Sequence, residues 1–358
     1  MADTPQKTEC PVCDSPEISP VIDISAVPVN CNVLFASRGQ ALLAPKRDIR
    51  LGFCGNCGHI HNTAFDPEAI NYTEEYENSL HFSPLFQDYA RSLAVTLIER
   101  YGLYGKDIIE IGCGKGDFLH LMSELGGNRG IGFDTSYSRG VEPCGNGKVV
   151  FVQDSYSEKY SGCKGDLVLC RQVLEHIKHP KGFLARVRGA IGARSGTVVF
   201  FEVPNVFHTL RELSVWDIIY EHNSYFYPYS LKRLFNGCAF NVRSVVETFE
   251  GQFICIDAFP ADRAIQPPLP GPELDAIVKE VLTFSTRYGS KILSWANELK
   301  GIEESGKRAV LWGGGSKGIA FLNMLKSRGI EYVVDINTRK QGKFVPVTGQ
   351  EIVAPEFL

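Results

Sequence analysis

The stretch Asp107–Leu119, DIIEIGCGKGDFL, constrains the fold of this chain more than any other. Ile108, Ile109 and Ile111 form a short apolar β-run. Gly112, Gly114 and Gly116 follow at alternate positions, and Asp117-Phe118-Leu119 restarts an amphipathic helical pattern. A strand that turns into a helix through alternating glycines lets backbone N–H groups approach a ligand that a Cβ would push away. Glu110 ends the strand and aims a carboxylate at the turn. A βα turn without a ligand needs neither three glycines nor the acid.

A second strand, Gly130-Ile131-Gly132-Phe133, ends in Asp134, twenty residues past Gly114. A carboxylate there can accept hydrogen bonds from both hydroxyls of a ribose. A dinucleotide fingerprint requires a further glycine three positions on, where this chain has Asp117. S-adenosylmethionine has no pyrophosphate and suits the acid-led pattern better. Further β-runs follow at Val149–Val152, closing near Asp154, at Asp166–Cys170, followed by Arg171, and at Thr197–Glu202. Helical spacing between them (Phe183, Val187, Ile191) predicts an α/β, doubly wound, Rossmann-like parallel sheet with the ligand at the carboxyl ends of its strands.

With 358 residues and 44% apolar content, the chain can bury a core split over two or three domains. Its net charge of −4 and pI of about 6.1 offer no basic field for nucleic acid or an anionic membrane. No apolar run is long enough to span a bilayer, and MADTPQKTEC does not read as a signal peptide. Eleven cysteines, an odd count, fit a reduced cytoplasm and a metal site better than a disulfide scaffold. The metal site is expected at Cys10, Cys13, Cys54 and Cys57. Two CxxC pairs make a closed tetrahedral set for structural zinc, within a small sheet carrying a long insertion. His59 and His61 are read as ordinary polar residues. The expected organisation is a zinc-binding module over 1–70, a helical linker and lid over 71–105, a donor-binding domain over 106–260 and a C-terminal α/β unit over 261–358.

EIGCGKGDFL, Asp134 and DLVLCRQVLEHI together resemble the successive motifs of class I S-adenosylmethionine-dependent methyltransferases. With the two CxxC pairs, a tyrosine-rich segment at 72–79, EHNSYF and a C-terminal WGGGSKG, the chain resembles the three-domain, zinc-containing C-methyltransferases of nucleotide-linked deoxysugars. That resemblance implies S-adenosylmethionine bound by Glu110, Gly112, Gly114, Gly116, Asp134, Asp154 and Arg171, with structural zinc in the first module. It implies a small-molecule acceptor, a nucleotide sugar in the known members, whose methyl-accepting carbon lies beside a ketone. Such chemistry needs a base to remove a C–H proton and an enolate held in line with the sulfonium methyl. Histidine suits the base role. The family pattern assigns catalysis to Glu221, His222 and His176, with Tyr76 from the linker. One departure concerns the acceptor: the sugar enzymes read tyrosine-histidine where this chain has Ile219-Tyr220. O- or N-methylation on the same scaffold is the alternative. His81 and His208 are read as surface groups near the site, and Cys113 as a filler.

The C-terminal unit opens after a proline-rich linker at 260–272. Ile277, Val281, Phe284, Tyr288, Ile292, Trp295 and Leu299 then predict a long amphipathic helix. Gly313, Gly315 and Gly318 fulfil GxGxxG after a strand, with Asp335 twenty residues past Gly315. This is the basis of the rival expectation, a nicotinamide-binding oxidoreductase. The family resemblance instead gives this turn to the acceptor side, with Lys317, Arg339, Lys340 and Lys343 adding positive charge. It also implies a shortened third unit. The sequence leaves monomer and homodimer open.

Overall fold

The computed structural model describes residues 9–70, 76–77, 79–137, 149–265, 271–326 and 329–358. Most of the tyrosine-rich segment at 72–79 and positions 266–270 of the proline-rich linker lie outside the described residues. The chain opens with β1 (Ile18–Pro28), helix α1 (Arg38–Leu42), β2 (Lys46–Cys54) and the short β3 (Ile60–Asn62), paired antiparallel in that strand order. In β2, Ile49, Leu51 and Phe53 alternate onto the buried face, as a half-covered strand requires. Helix α2 (Pro84–Tyr101) buries Phe86, Ala90, Leu93, Ala94, Leu97 and Ile98 as one stripe. It stops at Gly102, whose left-handed φ of 61° supplies the C-cap. Its last turn is anchored where Arg100 and Tyr101 both donate to the buried Asp257 at 2.7 Å.

The central sheet is built from β4 (Asp107–Ile111), helix α3 (Asp117–Gly126), β5 (Arg129–Phe133), β6 (Val149–Val152), β7 (Leu167–Arg171), helix α4 (Pro180–Ile191) and β8 (Val198–Pro204). After helix α5 (Val206–Arg211), the two-residue β9 (Ser224–Tyr225) and helix α6 (Pro228–Gly237), it is completed by β10 (Phe240–Thr248) and β11 (Phe253–Pro260). The strand order is β6-β5-β4-β7-β8-β11-β10. β7 and β8 are buried on both faces, which explains their unbroken apolar runs. The strands named from the sequence pair in parallel as expected, and the sheet gains one antiparallel strand that the sequence reading did not place. β11 runs against its neighbours, because it joins β10 through the tight Phe249-Glu250-Gly251 turn, where all three residues have positive φ. A hairpin connection permits only antiparallel pairing.

The C-terminal unit consists of α7 (Pro272–Glu304), β12 (Ala309–Trp312), helix α8 (Ser316–Leu325), β13 (Ile330–Val334) and β14 (Glu351–Val353), its three strands parallel. Helix α7 is long enough to tie two regions together, about 50 Å at 1.5 Å per residue. Ile277, Val281 and Phe284 join the core under β1 and β2, whereas Leu299 joins Ile319, Leu322 and Val333. No helix among the described residues is long and apolar enough to cross a membrane.

The first sheet is not self-contained. Its fourth strand is β9, paired through Ile60 with Tyr225 and His61 with Ser224. Two residues of the EHNSYF segment thus complete the N-terminal sheet, leaving Glu221 and His222 just before its edge.

Candidate active site

The glycine turn between β4 and α3 differs from its sequence reading in one respect. Its first N–H groups are not free for a ligand: Gly112 and Cys113 donate to the Phe133 carbonyl, and Gly114 donates to Asp134 Oδ2 at 2.8 Å. The turn offers space and negative charge instead. A Cβ on Gly112 would lie 2.2 Å from Val173 Cγ2 and one on Gly116 2.3 Å from Phe151 Cζ, so those glycines allow close packing. Gly114, at φ 55°, has nothing within 4 Å of that position. Beside this opening Glu110 is fully buried, and its Oε2 has no hydrogen-bond partner. Burial pushes its carboxyl up to about 8, with the Arg171 guanidinium pulling the other way. An orphaned buried acid beside an open glycine fits a cationic ligand such as S-adenosylmethionine.

The other expected donor-binding residues are placed unevenly. Asp134 follows β5, and its Oδ1 accepts from Ser136 N–H and Oγ–H at 2.8 and 2.6 Å. Its carboxylate is therefore fixed at the mouth of the turn. Asp154 follows β6 but is engaged by Lys159 Nζ at 2.9 Å and the Tyr160 hydroxyl at 2.5 Å. The Tyr160 hydrogen bond is the chief cause of its carboxyl being lowered to about 2. Arg171 turns into the protein, donating to Glu202 Oε1 at 3.0 Å with its guanidinium 4.1 Å from the Phe118 ring centroid. Glu202 also accepts from Tyr89 and Gln172. Arg171 joins β7 to β8 and to α3, and its buried Nε–H has no hydrogen-bond partner. His81, read as a surface group, is half-buried edge-on to Phe86, within electrostatic reach of Asp117 and Arg171.

Glu221, His222, His176 and Tyr76 converge, although they come from distant parts of the chain. Leu174–His176 forms a single 3-10 turn after β7, and Gly112 packs against the preceding Val173. This turn is zipped to the EHNSYF segment. His176 Nδ1 lies 2.9 Å from the Glu221 carbonyl, Asn223 N–H donates to the Glu175 carbonyl at 2.8 Å, and Asn223 Nδ2 reaches the Ile177 carbonyl at 3.2 Å. The His176 and His222 rings meet edge to face at 4.9 Å. Burial lowers both histidines, His176 to about 4, so both imidazoles are neutral near pH 7. The Glu221 carboxyl, raised to about 7 by burial, points to the N-terminal module: Oε2 accepts from Cys31 N–H at 3.0 Å, and Tyr76 hydrogen-bonds it too. Glu221 thus holds the segment in place. The departure at Ile219-Tyr220 has a structural outcome as well. Tyr220 turns away from the cluster, stacks on Phe65 and accepts from Asp66 N–H at 2.9 Å.

Sequence reasoning missed Glu175. It is buried beside His176, and its Oε2 is without a partner. The signal was present, since an acid inside the apolar VLEHI run is costly unless something compensates it. Asn223 and Cys31 were missed because their contacts join residues 46 and 190 positions apart.

The four cysteines of the CxxC pairs come together. Cys10 Sγ lies 3.6 Å from Cys57 Sγ and Cys13 Sγ 3.5 Å from Cys54 Sγ, with all four sulfurs within 4.8 Å of one another. Tetrahedral zinc with bonds of about 2.3 Å sets sulfurs about 3.8 Å apart, so the set fits. Tyr227, just past β9, donates to the Cys57 carbonyl at 2.9 Å. His59 and His61, read as ordinary polar residues, are in fact buried and stacked at 6.0 Å, between the knuckle and β9.

The C-terminal turn repeats the wiring of the first. Gly313 donates to Val334, Gly314 donates to Asp335 Oδ2 at 2.7 Å, and Asn337 N–H donates to Asp335 Oδ1 at 2.7 Å. Here, however, a cation from the chain sits against the turn: buried Lys340 donates to the Gly314 carbonyl at 3.0 Å and lies 4.0 Å from Asp335. Lys317 pairs with Asp217 and Arg339 with Glu77.

Strand order, open glycine turn and acid at the tip of β5 give the chain a class I, S-adenosylmethionine-dependent methyltransferase fold. Residues 86–245 match the methyltransferase domain, and residues 278–358 match the C-methyltransferase C-terminal domain. The C-methyltransferase NovU of Streptomyces niveus is 28% identical over 294 residues, 74% of this chain and 67% of that one. A ubiquinone biosynthesis O-methyltransferase of Vibrio parahaemolyticus is 26% identical over 156 residues, 39% of this chain and 63% of that one. The 1,6-didemethyltoxoflavin N1-methyltransferase of Burkholderia thailandensis, solved with S-adenosylhomocysteine, aligns with a TM-score of 0.37 at 15% identity, over 50% of this chain and 82% of that one.

Proposed function

We propose that this methyltransferase methylates carbon beside a carbonyl of a small molecule, a nucleotide-linked sugar or related natural product, by base-assisted enolate formation. The observation that carries the reading is the pair of half-buried, neutral imidazoles, His176 and His222, that meet edge to face beside the turn containing Val173, against which Gly112 packs. S-adenosylmethionine, when bound, supplies a methyl group on a positively charged sulfur. Glu110, Gly112, Gly114, Gly116 and Asp134 would hold it. His222 takes the proton from the acceptor carbon, because a neutral imidazole has a lone pair ready for it. His176 is held in one orientation by the Glu221 carbonyl and supports His222 from the side. Glu221 and Tyr76 position the segment from the N-terminal side. Asp154 and Arg171 shape the donor pocket through their partners. Half-exposed Lys317 and Arg339, near the C-terminal turn, add positive charge for an anionic group of the acceptor, such as a phosphate.

The four cysteines bind structural zinc in this reading. The ion fixes the knuckle, the knuckle aligns β3 with β9, and β9 presents Glu221 and His222. The working units are 1–70, 71–105, 106–260 and 261–358, and the free cysteines suit a reducing cytoplasm. The O-methyltransferase relatives support a second reading, methyl transfer to oxygen with the same base. Solvent deuterium exchange at the acceptor carbon, without methyl donor, separates the two. Exchange that disappears in His222→Gln, while S-adenosylhomocysteine still binds, is the expected result. A good acceptor that is methylated without any exchange would sink the C-methylation reading.

A further inference from the structure

The second glycine turn is wired to Tyr76 through side chains that the methyl-donor turn does not use. Asp335 Oδ1 accepts from Asn337 N–H at 2.7 Å, and Asn337 Oδ1 accepts in turn from Arg339 N–H at 2.9 Å. Each step caps a backbone N–H two residues on, which fixes the direction of the side chains. Asn337, 2% exposed, sends Nδ2 to Glu77 Oε1 at 3.3 Å, and Arg339 donates to Glu77 Oε2 at 3.4 Å. Glu77 is itself buried, with Ser79 N–H a further donor to Oε1 at 3.3 Å and Lys340 within electrostatic reach. The Arg339 guanidinium also lies 5.6 Å from the Phe82 ring centroid, a cation–π distance. One arginine therefore grips the linker at both Glu77 and Phe82.

From Glu77 the contacts continue into the candidate active site. Glu77 N–H donates to the Asn32 carbonyl at 3.0 Å, Tyr76 bridges to Val33, and Asn32 Nδ2 donates to the Tyr76 hydroxyl at 3.4 Å. Tyr76 hydrogen-bonds Glu221, which also accepts from Cys31 N–H. We propose that Glu77, Asn337 and Arg339 are positioning residues that hold Tyr76 on Glu221, so that the second glycine turn acts on the candidate active site through the linker. A carboxylate held by a cation and a fixed amide has one favoured place, and Tyr76, its chain neighbour, inherits that place. Stripped of the guanidinium, the buried carboxylate is costly where it lies and turns toward water, drawing Tyr76 with it. The tether rests on geometry; only its bearing on turnover rests on the proposed role of Glu221 and His222.

The test is fluorine NMR of the full chain carrying fluorotyrosine at position 76. In the parent its resonance should stand apart from that of the urea-unfolded chain. Arg339→Gln and Glu77→Gln should each move it toward the unfolded position, and Arg339→Lys should keep most of the parent shift. Lys317→Met, in the same unit but paired with Asp217, should leave it unmoved. S-adenosylhomocysteine binding, the check on folding, stays as in the parent throughout. The proposal would be overturned by a parent resonance already at the unfolded position, or by one unmoved in both Arg339→Gln and Glu77→Gln. Equal movement in Lys317→Met, Arg339→Lys behaving as Arg339→Gln, or S-adenosylhomocysteine binding lost in both neutral variants would also overturn it. These spectra need no acceptor. An unmoved resonance with deuterium exchange still lost in His222→Gln sinks the tether and leaves C-methylation standing; a moved resonance with no exchange does the reverse.

Discussion

The two glycine turns of this chain share one wiring and differ in charge. In each, a strand runs into a helix, a loop N–H donates to a carboxylate on the next strand's tip, and that carboxylate also accepts from an N–H two residues on. The first turn leaves Gly114 facing open space among Glu110, Asp117 and Asp134. The second is closed by Lys340, and Gly318 packs so tightly that a Cβ would lie 2.1 Å from the Gly313 carbonyl oxygen. In the proposed reading the first turn takes the cationic methyl donor, whereas a lysine of the chain already sits against the second. Glycine spacing alone ranks them the other way.

The largest effect that can break this contrast is expected from Gly114→Val. It places a branched side chain in the opening and should weaken S-adenosylhomocysteine binding at least about 100-fold by calorimetry, near 3 kcal/mol. Undiminished binding would remove the donor from the first turn. Lys340→Met should leave that affinity alone but lower unfolding free energy by about 1–3 kcal/mol, because it strips a buried carboxylate of its cation. A loss of donor binding in this variant would blur the distinction between the turns.

A smaller effect concerns Glu110, whose folded-state carboxyl is raised from 4.5 to about 8. Its contribution to stability is fully present below pH 4.5 and is lost as pH rises through about 8. From pH 6.5 to 8 the ligand-free protein should lose up to about 1.4 kcal/mol per pH unit from this group. Glu110→Gln should flatten that slope in denaturant titrations; an identical slope would place the titration elsewhere. The smallest change is expected from Gly315→Ala, where φ is −87° and nothing lies within 4 Å of the added methyl. Its stability should stay within about 0.5 kcal/mol of the parent. A large drop would mean that the second turn is tighter than its geometry indicates.

Much of the scaffold was legible in the sequence, because local signals decide it. Alternating glycines, the 3.6-residue stripe of α2 and α7 and the apolar runs of β7 and β8 are readable in short windows. The reversal of β11 was missed, since it depends on a hairpin whose positive-φ residues include Phe249 and Glu250, neither a turn former. The candidate site was only partly legible. His176 and His222 stand out by type, but the route from the cysteine knuckle through β3 and β9 to His222 joins residues far apart in sequence. No periodicity encodes that pairing. Arg171 stands at a strand tip in the sequence, but its ion pair with Glu202 on the neighbouring strand is a long-range contact that no local pattern reveals.

The most direct test of the contrast is calorimetric titration of the whole chain with S-adenosylmethionine and, separately, with NADH and NADPH. One equivalent of S-adenosylmethionine should bind, lost in Gly114→Val and kept in Lys340→Met, with no heat from either nicotinamide. Nicotinamide binding that survives Gly114→Val and disappears in Lys340→Met would contradict the assignment of the two turns.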